Sequence, residues 1–174
     1  MNHDPGNFRH CPLCAASLVL RAEGLRDRLT CPSCGYVYYH NPVPAAGGVI
    51  LRDQRVCLVR RAIEPRLGDW SLPAGFIEHG ESAAECVERE LLEETGLMVK
   101  TESVLGVYSG FDDPRNHVIL IIYRTRETEP RECVAGDDAD AVDFFPMERI
   151  PPNIAFRAHR LALRDIYGDA YKGR

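Results

Sequence analysis

Apolar and polar residues alternate along much of this chain and fall into a helical period in two places. Residues 46–52 read as a strand, Asp53-Gln54 as a turn, and residues 56–61 as a second strand. A polar loop over 64–69 leads to Leu72-Pro73-Ala74-Gly75, read as a further turn. Between Ser82 and Gly96, Ala84, Val87 and Leu91 recur on one helix face. Strand patterns follow at 98–108, 118–126 and 141–145, then the proline-flanked segment 147–152. Residues 154–167 form a second amphipathic helix that buries Phe156, Leu163, Ile166 and Tyr167. Strands interleaved with two helices predict an α+β or α/β domain built in layers.

The first helix carries its own start and stop. Ser82 and Glu85 have the spacing of a capping box, and Gly96 is placed to end the helix. Glu85 and Arg89 are i, i+4 partners, and Arg89 also neighbours Glu93. The helix is most informative for its acids. Glu90, Glu93 and Glu94 fall within an arc of roughly 100° at 3.6 residues per turn. Carboxylates so arranged repel one another unless a cation neutralises them, and an all-oxygen set suits Mg²⁺ or Mn²⁺ better than zinc. The turn at 72–75 can aim carbonyls, that of Ala74 among them, at the same ion.

The chain has 174 residues, with 21 Lys and Arg against 26 Asp and Glu, a net charge of −5. That balance argues against broad non-specific binding to nucleic acid or membranes. Residues 1–10 are polar and unlike a signal peptide, and the longest apolar run, 118–123, is too short to span a bilayer. A cytoplasmic protein is expected.

Seven cysteines are present, four of them in two Cys-Pro-x-Cys knuckles, Cys11/Cys14 and Cys31/Cys34, sixteen residues apart. This is the spacing of a structural four-thiolate zinc site. A redox pair would need a βαβ setting that the polar segment does not offer, and four thiolates leave no open position for catalysis. A segment this short cannot bury enough surface to fold unaided, so zinc would supply the missing stability. Residues 1–40 are thus expected to form a zinc ribbon and 41–174 the main domain, joined by a stiff connector at 41–44. Cys57, in an apolar strand, reads as a core thiol.

The pattern G-x5-E-x7-R-E-U-x-E-E-x-G-U, where U is apolar, is met at Gly75, Glu81, Arg89, Glu90, Leu91, Glu93, Glu94, Gly96 and Leu97. It resembles the Nudix box. The resemblance implies an α/β/α sandwich with a mixed sheet over about 45–170, and divalent-metal-dependent hydrolysis of a nucleoside diphosphate linked to another moiety. By that resemblance Glu90 and Glu94 are metal ligands with the Ala74 carbonyl, and Glu93 is a ligand or a general base. Arg89 orients the carboxylates, and Glu81 fixes the loop before the helix. An acid from a later loop is also expected, and Asp137 is the residue best placed for it.

A ribbon followed by a Nudix domain resembles two groups. NADH pyrophosphatases carry a Ser-Gln-Pro-Trp-Pro-Phe-Pro motif after the box, which Tyr108-Ser109-Gly110-Phe111-Asp112-Asp113-Pro114 does not match. ADP-ribose and FAD pyrophosphatases resemble the chain at Tyr39-His40-Asn41-Pro42, at 72–76 and at Ile154-Ala155-Phe156. The expected substrate is therefore a dinucleotide or ADP-sugar, cleaved to release AMP. Phe111, Tyr108 or Phe76 would stack on a base. Strand alternation lets only one of Arg60 and Arg61 meet phosphates, and Arg60 is the candidate. The alternative is a nucleic-acid-binding or RNA-end-processing protein that uses the ribbon. Arg9, Arg21, Arg26 and Arg28 there are offset by Asp4, Glu23 and Asp27, so a homodimer contact is the preferred role for the ribbon. A Nudix fold without activity is disfavoured, because every box acid is present.

Overall fold

A computed structural model describes residues 8–168. The chain divides into two compact units, Met1–Asn41 and Pro42–Arg174. In the first, β1 (Val19–Glu23) and β2 (Arg26–Thr30) form an antiparallel hairpin, and β3 (Val37–Tyr38) pairs with β2. The two cysteine knuckles repeat one backbone pattern. Cys11 N–H donates to Ala16 O, and Ala15 N–H to Cys11 O; Cys31 N–H donates to Tyr36 O, and Gly35 N–H to Cys31 O. Among its described residues, only Cys11, Leu29, Thr30 and Cys31 are buried.

The second unit is larger and layered. Its strands are β4 (Val43–Val49), β5 (Leu51–Arg52), β6 (Arg55–Arg61), β7 (Trp70–Ser71) and β8 (Ala74–Phe76). Helix α1 (Ala83–Thr95) follows, then β9 (Val99–Gly110), β10 (Val118–Glu127) and β11 (Ala139–Phe145). A 3₁₀ turn at Met147–Arg149 leads to helix α2 (Arg157–Tyr167). One sheet has the order β8-β4-β10-β9, with β4 and β10 parallel and the other pairs antiparallel; the second has the order β11-β6-β5, with β7 on β6. The mixed α+β architecture agrees with the sequence.

Core residues explain why both helices are needed. Neighbours on one strand enter different clusters: Ala45, Val49, Val56 and Leu58 pack with Leu163, Ala158 and Ala162 of α2. Ala46, Ile50 and Cys57 pack with Cys86, Val87 and Leu91 of α1. A strand apolar on both faces needs a cover on each, and each fully buried Val, Leu or Ile contributes about 1.5–3 kcal/mol. Cys57 is a core thiol, as expected, and Tyr108 is a core residue whose hydroxyl donates to Asp165 of α2 at 2.7 Å.

Three local expectations need correcting. The connector at 41–44 already belongs in part to β4, because Val43 N–H donates to His117 O and Pro44, which has no N–H, accepts from Ile77. Residues 74–76 are a strand rather than a turn, since they find an antiparallel partner in Ala45–Gly47. Helix α2 begins at Arg157 rather than 154: Trp70 pairs with Ile154 and takes the Ala155 N–H, which holds that segment extended.

Candidate active site

Helix α1 is held where its acids face β8. The Ser82 hydroxyl accepts from Glu85 N–H, and the Glu85 carboxylate accepts from Ser82 N–H, so the capping box is closed. At the other end Gly96 adopts φ +71°, a left-handed value that suits glycine, and its N–H reaches Leu92 O. Glu85 is therefore spent on the cap and does not pair with Arg89, contrary to the i, i+4 expectation.

Arg89 is instead the hub of the acidic cluster. Its Nε and Nη2 bond Glu81 at 2.7 and 2.9 Å, and Nη1 bonds Glu90 at 2.6 Å and Glu93 at 3.0 Å. Nη2 also donates to Phe76 O, which ties the helix to β8. The guanidinium holds the Glu81 carboxyl down at about 2. Glu94 has a different partner, the Ala74 N–H at 3.0 Å. Burial is its dominant influence and pushes the carboxyl up to about 8; the Ala74 N–H opposes this and the Glu90 charge adds to it. Burial raises Glu90 too, against Arg89. Gly75 shows how closely this is fitted: a Cβ there would lie 2.0 Å from Glu90 Oε1. A side chain at the box glycine would displace the Glu90 carboxylate from this position.

Asp137 and Asp138 occupy a turn closed by the Ala139 N–H bond to Gly136 O, with Asp137 at φ +51°. Both line a cavity of about 590 Å³ together with Glu90, Glu93, Glu94, Ala74, Gly75 and Arg89. Among the described residues, these carboxylates are not gathered as a tight ligand cluster; only the four N-terminal thiols have all their ligand atoms within 4.8 Å of one another. Two half-neutralised acids buried in one wall, with oxygen donors only, still fit a hard divalent cation.

The rest of the lining was not foreseen. Arg61, Asp112, Asp113, Arg115, Phe156 and His159 line the same cavity. Arg61 is held below its ordinary value by burial first and by the Arg115 charge second. Its Nε donates to Pro65 O, and its guanidinium lies 5.2 Å from the Phe156 ring. Two arginines on one wall repel each other and favour an anion between them. Arg115 is braced by Asp113 at 3.0 Å and by Glu64 O.

Two predicted substrate contacts do not join this site. Arg60 points the other way, bonding Asp140 at 2.7 Å beside Trp70, because successive β6 side chains leave opposite faces. Phe111 is 63% exposed, stands edge-on to His117 and is not among the cavity residues. Phe76 does line the cavity. The missed wall left one readable signal, the charged run Asp112-Asp113-Pro114-Arg115 between two strong strands.

The remaining site is the four-thiol cluster. Cys11 and Cys34 sulfurs lie 3.6 Å apart, Cys14 and Cys31 3.4 Å, and Cys14 and Cys34 3.6 Å. The Cys34 N–H is the main influence holding Cys31 down at about 6. For Cys34 the Tyr36 N–H favours the thiolate, but the Cys31 sulfur and burial outweigh it and push the thiol up to about 12. Four thiolates this close can coexist only around a cation.

The mixed-sheet sandwich, the box helix and its acidic wall define a hydrolase of the Nudix class. The NUDIX domain model matches residues 41–165, and the chain belongs to the Nudix hydrolase family. An ADP-ribose pyrophosphatase of Methanocaldococcus jannaschii is 42% identical over 131 residues, 75% of this chain and 76% of the relative. A NAD-capped RNA hydrolase NudC of Chromobacterium violaceum is 36% identical over 169 residues, 92% of this chain but 61% of the relative's length. The crystal structure of a NUDIX hydrolase from Nitrosomonas europaea superposes with a TM-score of 0.81 at 29% identity, covering 95% of this chain and 94% of that one. Among the described residues no helix is long and apolar enough to cross a membrane.

Proposed function

We propose that this chain hydrolyses the pyrophosphate bond of an ADP-ribose-type nucleoside diphosphate, releasing AMP, with Mg²⁺ or Mn²⁺ as cofactor. One observation carries the reading: two buried carboxylates, Glu90 and Glu94, and a pair of arginines, Arg61 and Arg115, line a single cavity. A diphosphate needs cations around it, and this cavity offers carboxylates to hold a metal and guanidinium groups beside them. Glu90, Glu94, Glu93 and the Ala74 carbonyl would hold the metal, with Asp137 as a further donor from its turn. A bound divalent ion neutralises phosphoryl oxygens and lowers the pKa of a coordinated water.

The protein's own groups do the rest. Arg89 orients Glu90 and Glu93. The Ala74 N–H fixes Glu94. Glu93, with a side chain 44% exposed and one oxygen free of Arg89, is placed to take a proton from an attacking water. Arg61 and Arg115 steady the phosphates, and Phe76 offers an apolar wall for a base. The M. jannaschii relative, matched over three quarters of both chains, is the reason to put ADP-ribose before FAD and NADH. Cys11, Cys14, Cys31 and Cys34 would hold a structural Zn²⁺ in a ribbon over residues 1–40, ahead of the hydrolase domain at 41–174.

A second reading, an enzyme that trims NAD-capped RNA, is favoured by one fact. The NudC alignment covers 92% of this chain and so extends into the cysteine unit. One assay separates the two. ADP-ribose, FAD, NADH and a NAD-capped RNA are incubated with Mg²⁺ or Mn²⁺, and products are resolved by chromatography. AMP from ADP-ribose at the highest kcat/KM supports the first reading; preference for the capped RNA supports the second; no cleavage of any of them refutes both.

A further inference from the structure

The β1–β2 hairpin separates its side chains by face. A two-residue turn, Gly24-Leu25 with Gly24 at φ +63°, sets Glu23 opposite Arg26. The same register sets Ala22 opposite Asp27, Arg21 opposite Arg28 and Leu20 opposite Leu29. Directly opposed residues share a face of the sheet, and successive residues of one strand take opposite faces. Arg21, Arg26 and Arg28 therefore lie on one face, with Glu23 as the carboxylate among them. Leu20, Ala22, Asp27 and Leu29 lie on the other. Leu29 also pairs with Tyr38, whose ring stacks on Phe8 at 4.5 Å. Counted along the chain, Asp27 offsets an arginine; in the fold it faces away from all three.

The arginine face is costly on its own. Arg21 and Arg28 are directly opposed, about 5 Å apart at Cβ, and like charges so placed destabilise a sheet. Among the described residues none of the three arginines forms an ion pair. A surface that serves only solubility mixes the two signs, whereas three guanidinium groups here stand against one carboxylate. The Arg28 guanidinium lies 4.5 Å over the Tyr39 ring, and Tyr39 is 54% exposed. Arg26 and Arg28, two residues apart on one strand, are separated by about 7 Å, near the spacing of successive phosphates on an extended strand.

Guanidinium groups bind phosphates through charge-assisted paired hydrogen bonds, and an aromatic ring stacks on a base of any sequence. A lipid surface would use the charges and leave the ring without a role. A duplex would hide its base faces. RNA is the nucleic acid that cells hold single-stranded, and it offers phosphates and free bases together.

We propose that Arg21, Arg26, Arg28 and Tyr39 form a docking face for single-stranded RNA on the cysteine unit. The proposal stands whether the cavity of the other unit cleaves a free dinucleotide or a capped strand.

The test titrates the whole protein against a fluorescein-labelled, unstructured RNA of about 12 nucleotides and reads anisotropy. Affinity should fall with salt, log K against log[salt] having a slope of about −2, the value for three phosphate contacts on a single strand. Arg21→Gln or Arg28→Gln should flatten that slope by about 0.7, and Arg21→Gln, Arg26→Gln and Arg28→Gln combined should abolish binding. Tyr39→Ala should weaken binding by about tenfold at an unchanged slope. Arg55→Gln, which changes an exposed arginine of the other unit, should have no effect. Thermal melting confirms that each variant is folded, and the triple variant should cleave ADP-ribose as the wild type does. No RNA binding by the wild type, or binding kept by the folded triple variant, overturns the proposal. So does tighter binding to the matching single-stranded DNA or to an RNA duplex, or retention on phosphatidylglycerol vesicles that the triple variant loses. None of these results touches the hydrolase reading, and a wild type that binds RNA but cleaves no dinucleotide sinks that reading while supporting this one.

Discussion

The two candidate ion sites of this chain are built in opposite ways. The described residues of the N-terminal unit have almost no core and four sulfurs drawn together within 4.8 Å. The hydrolase unit has two apolar clusters and carboxylates kept apart, Glu90 and Glu93 on Arg89 and Glu94 on a backbone N–H. A unit without a core would need an ion in order to fold, and here the backbone knuckles bring the four sulfurs together. A unit with a core folds regardless, and its acids can wait, partly neutralised, for an ion that arrives with substrate. Loss of the ion should therefore cost the first unit its structure and the second its activity.

The largest effect that would break this contrast is expected at Glu94. Glu94→Gln keeps the size and the Ala74 contact but cannot ionise to meet a cation. Loss of even an outer-shell partner at a metal site costs about 10–100-fold, so kcat/KM should fall by at least roughly 100-fold. The metal-free variant should melt no lower than the wild type, because the carboxylate it lacks was destabilised by burial. Near-normal turnover would remove Glu94 from the metal site.

Cys31→Ser tests the other half. Bound zinc, measured by elemental analysis, should fall from one per chain toward zero, and amide protons of β1–β3 should lose their protection from exchange. Cleavage of a free dinucleotide should persist, since the box acids depend on their own core. Simultaneous loss of both would show that the two regions are not independent.

A smaller effect follows from pH. The Glu94 carboxyl sits at about 8, above its ordinary 4.5. Between those values the folded protein binds the extra proton, so its stability falls as pH rises. In chelator, the melting temperature of the hydrolase unit should be higher near pH 5 than near pH 8, and the difference should shrink in Glu94→Gln. Glu81 runs the other way: its carboxyl at about 2 contributes stability that is present above about 4.5 and lost below it. A melting curve that climbs from pH 5 to pH 8 would contradict the buried-acid account.

How much of this the sequence disclosed divides along similar lines. Helix α1 was legible because its cap, apolar stripe, acids and stop lie within 15 residues, and the cysteine knuckles because their spacing is local. The short β8 was missed because three residues are too few to show alternation, and only its pairing with β4 defines it. The wall made by Asp112, Arg115, Phe156 and His159 was missed because its members come from a loop and a helix some 40 residues apart. Phe156 read as core because an amphipathic pattern reports burial without saying whether the neighbour is a packed side chain or a cavity.

Arg60 is the sharpest case of that limit and carries the smallest expected effect. Alternation says that Arg60 and Arg61 face opposite ways, but a strand apolar on both faces gives no clue to which side is which. Tertiary pairing decides it. Arg60 forms an exposed ion pair with Asp140, with side chains 42% and 46% exposed, and such pairs contribute about 0–1 kcal/mol. Arg60→Ala should leave KM unchanged and barely move the melting temperature. Arg61→Ala, which removes a cavity guanidinium, should raise KM by about tenfold or more, the scale of one charge-assisted hydrogen bond. If Arg60→Ala raised KM while Arg61→Ala did not, the cation-lined wall would have to be moved to the other face of β6.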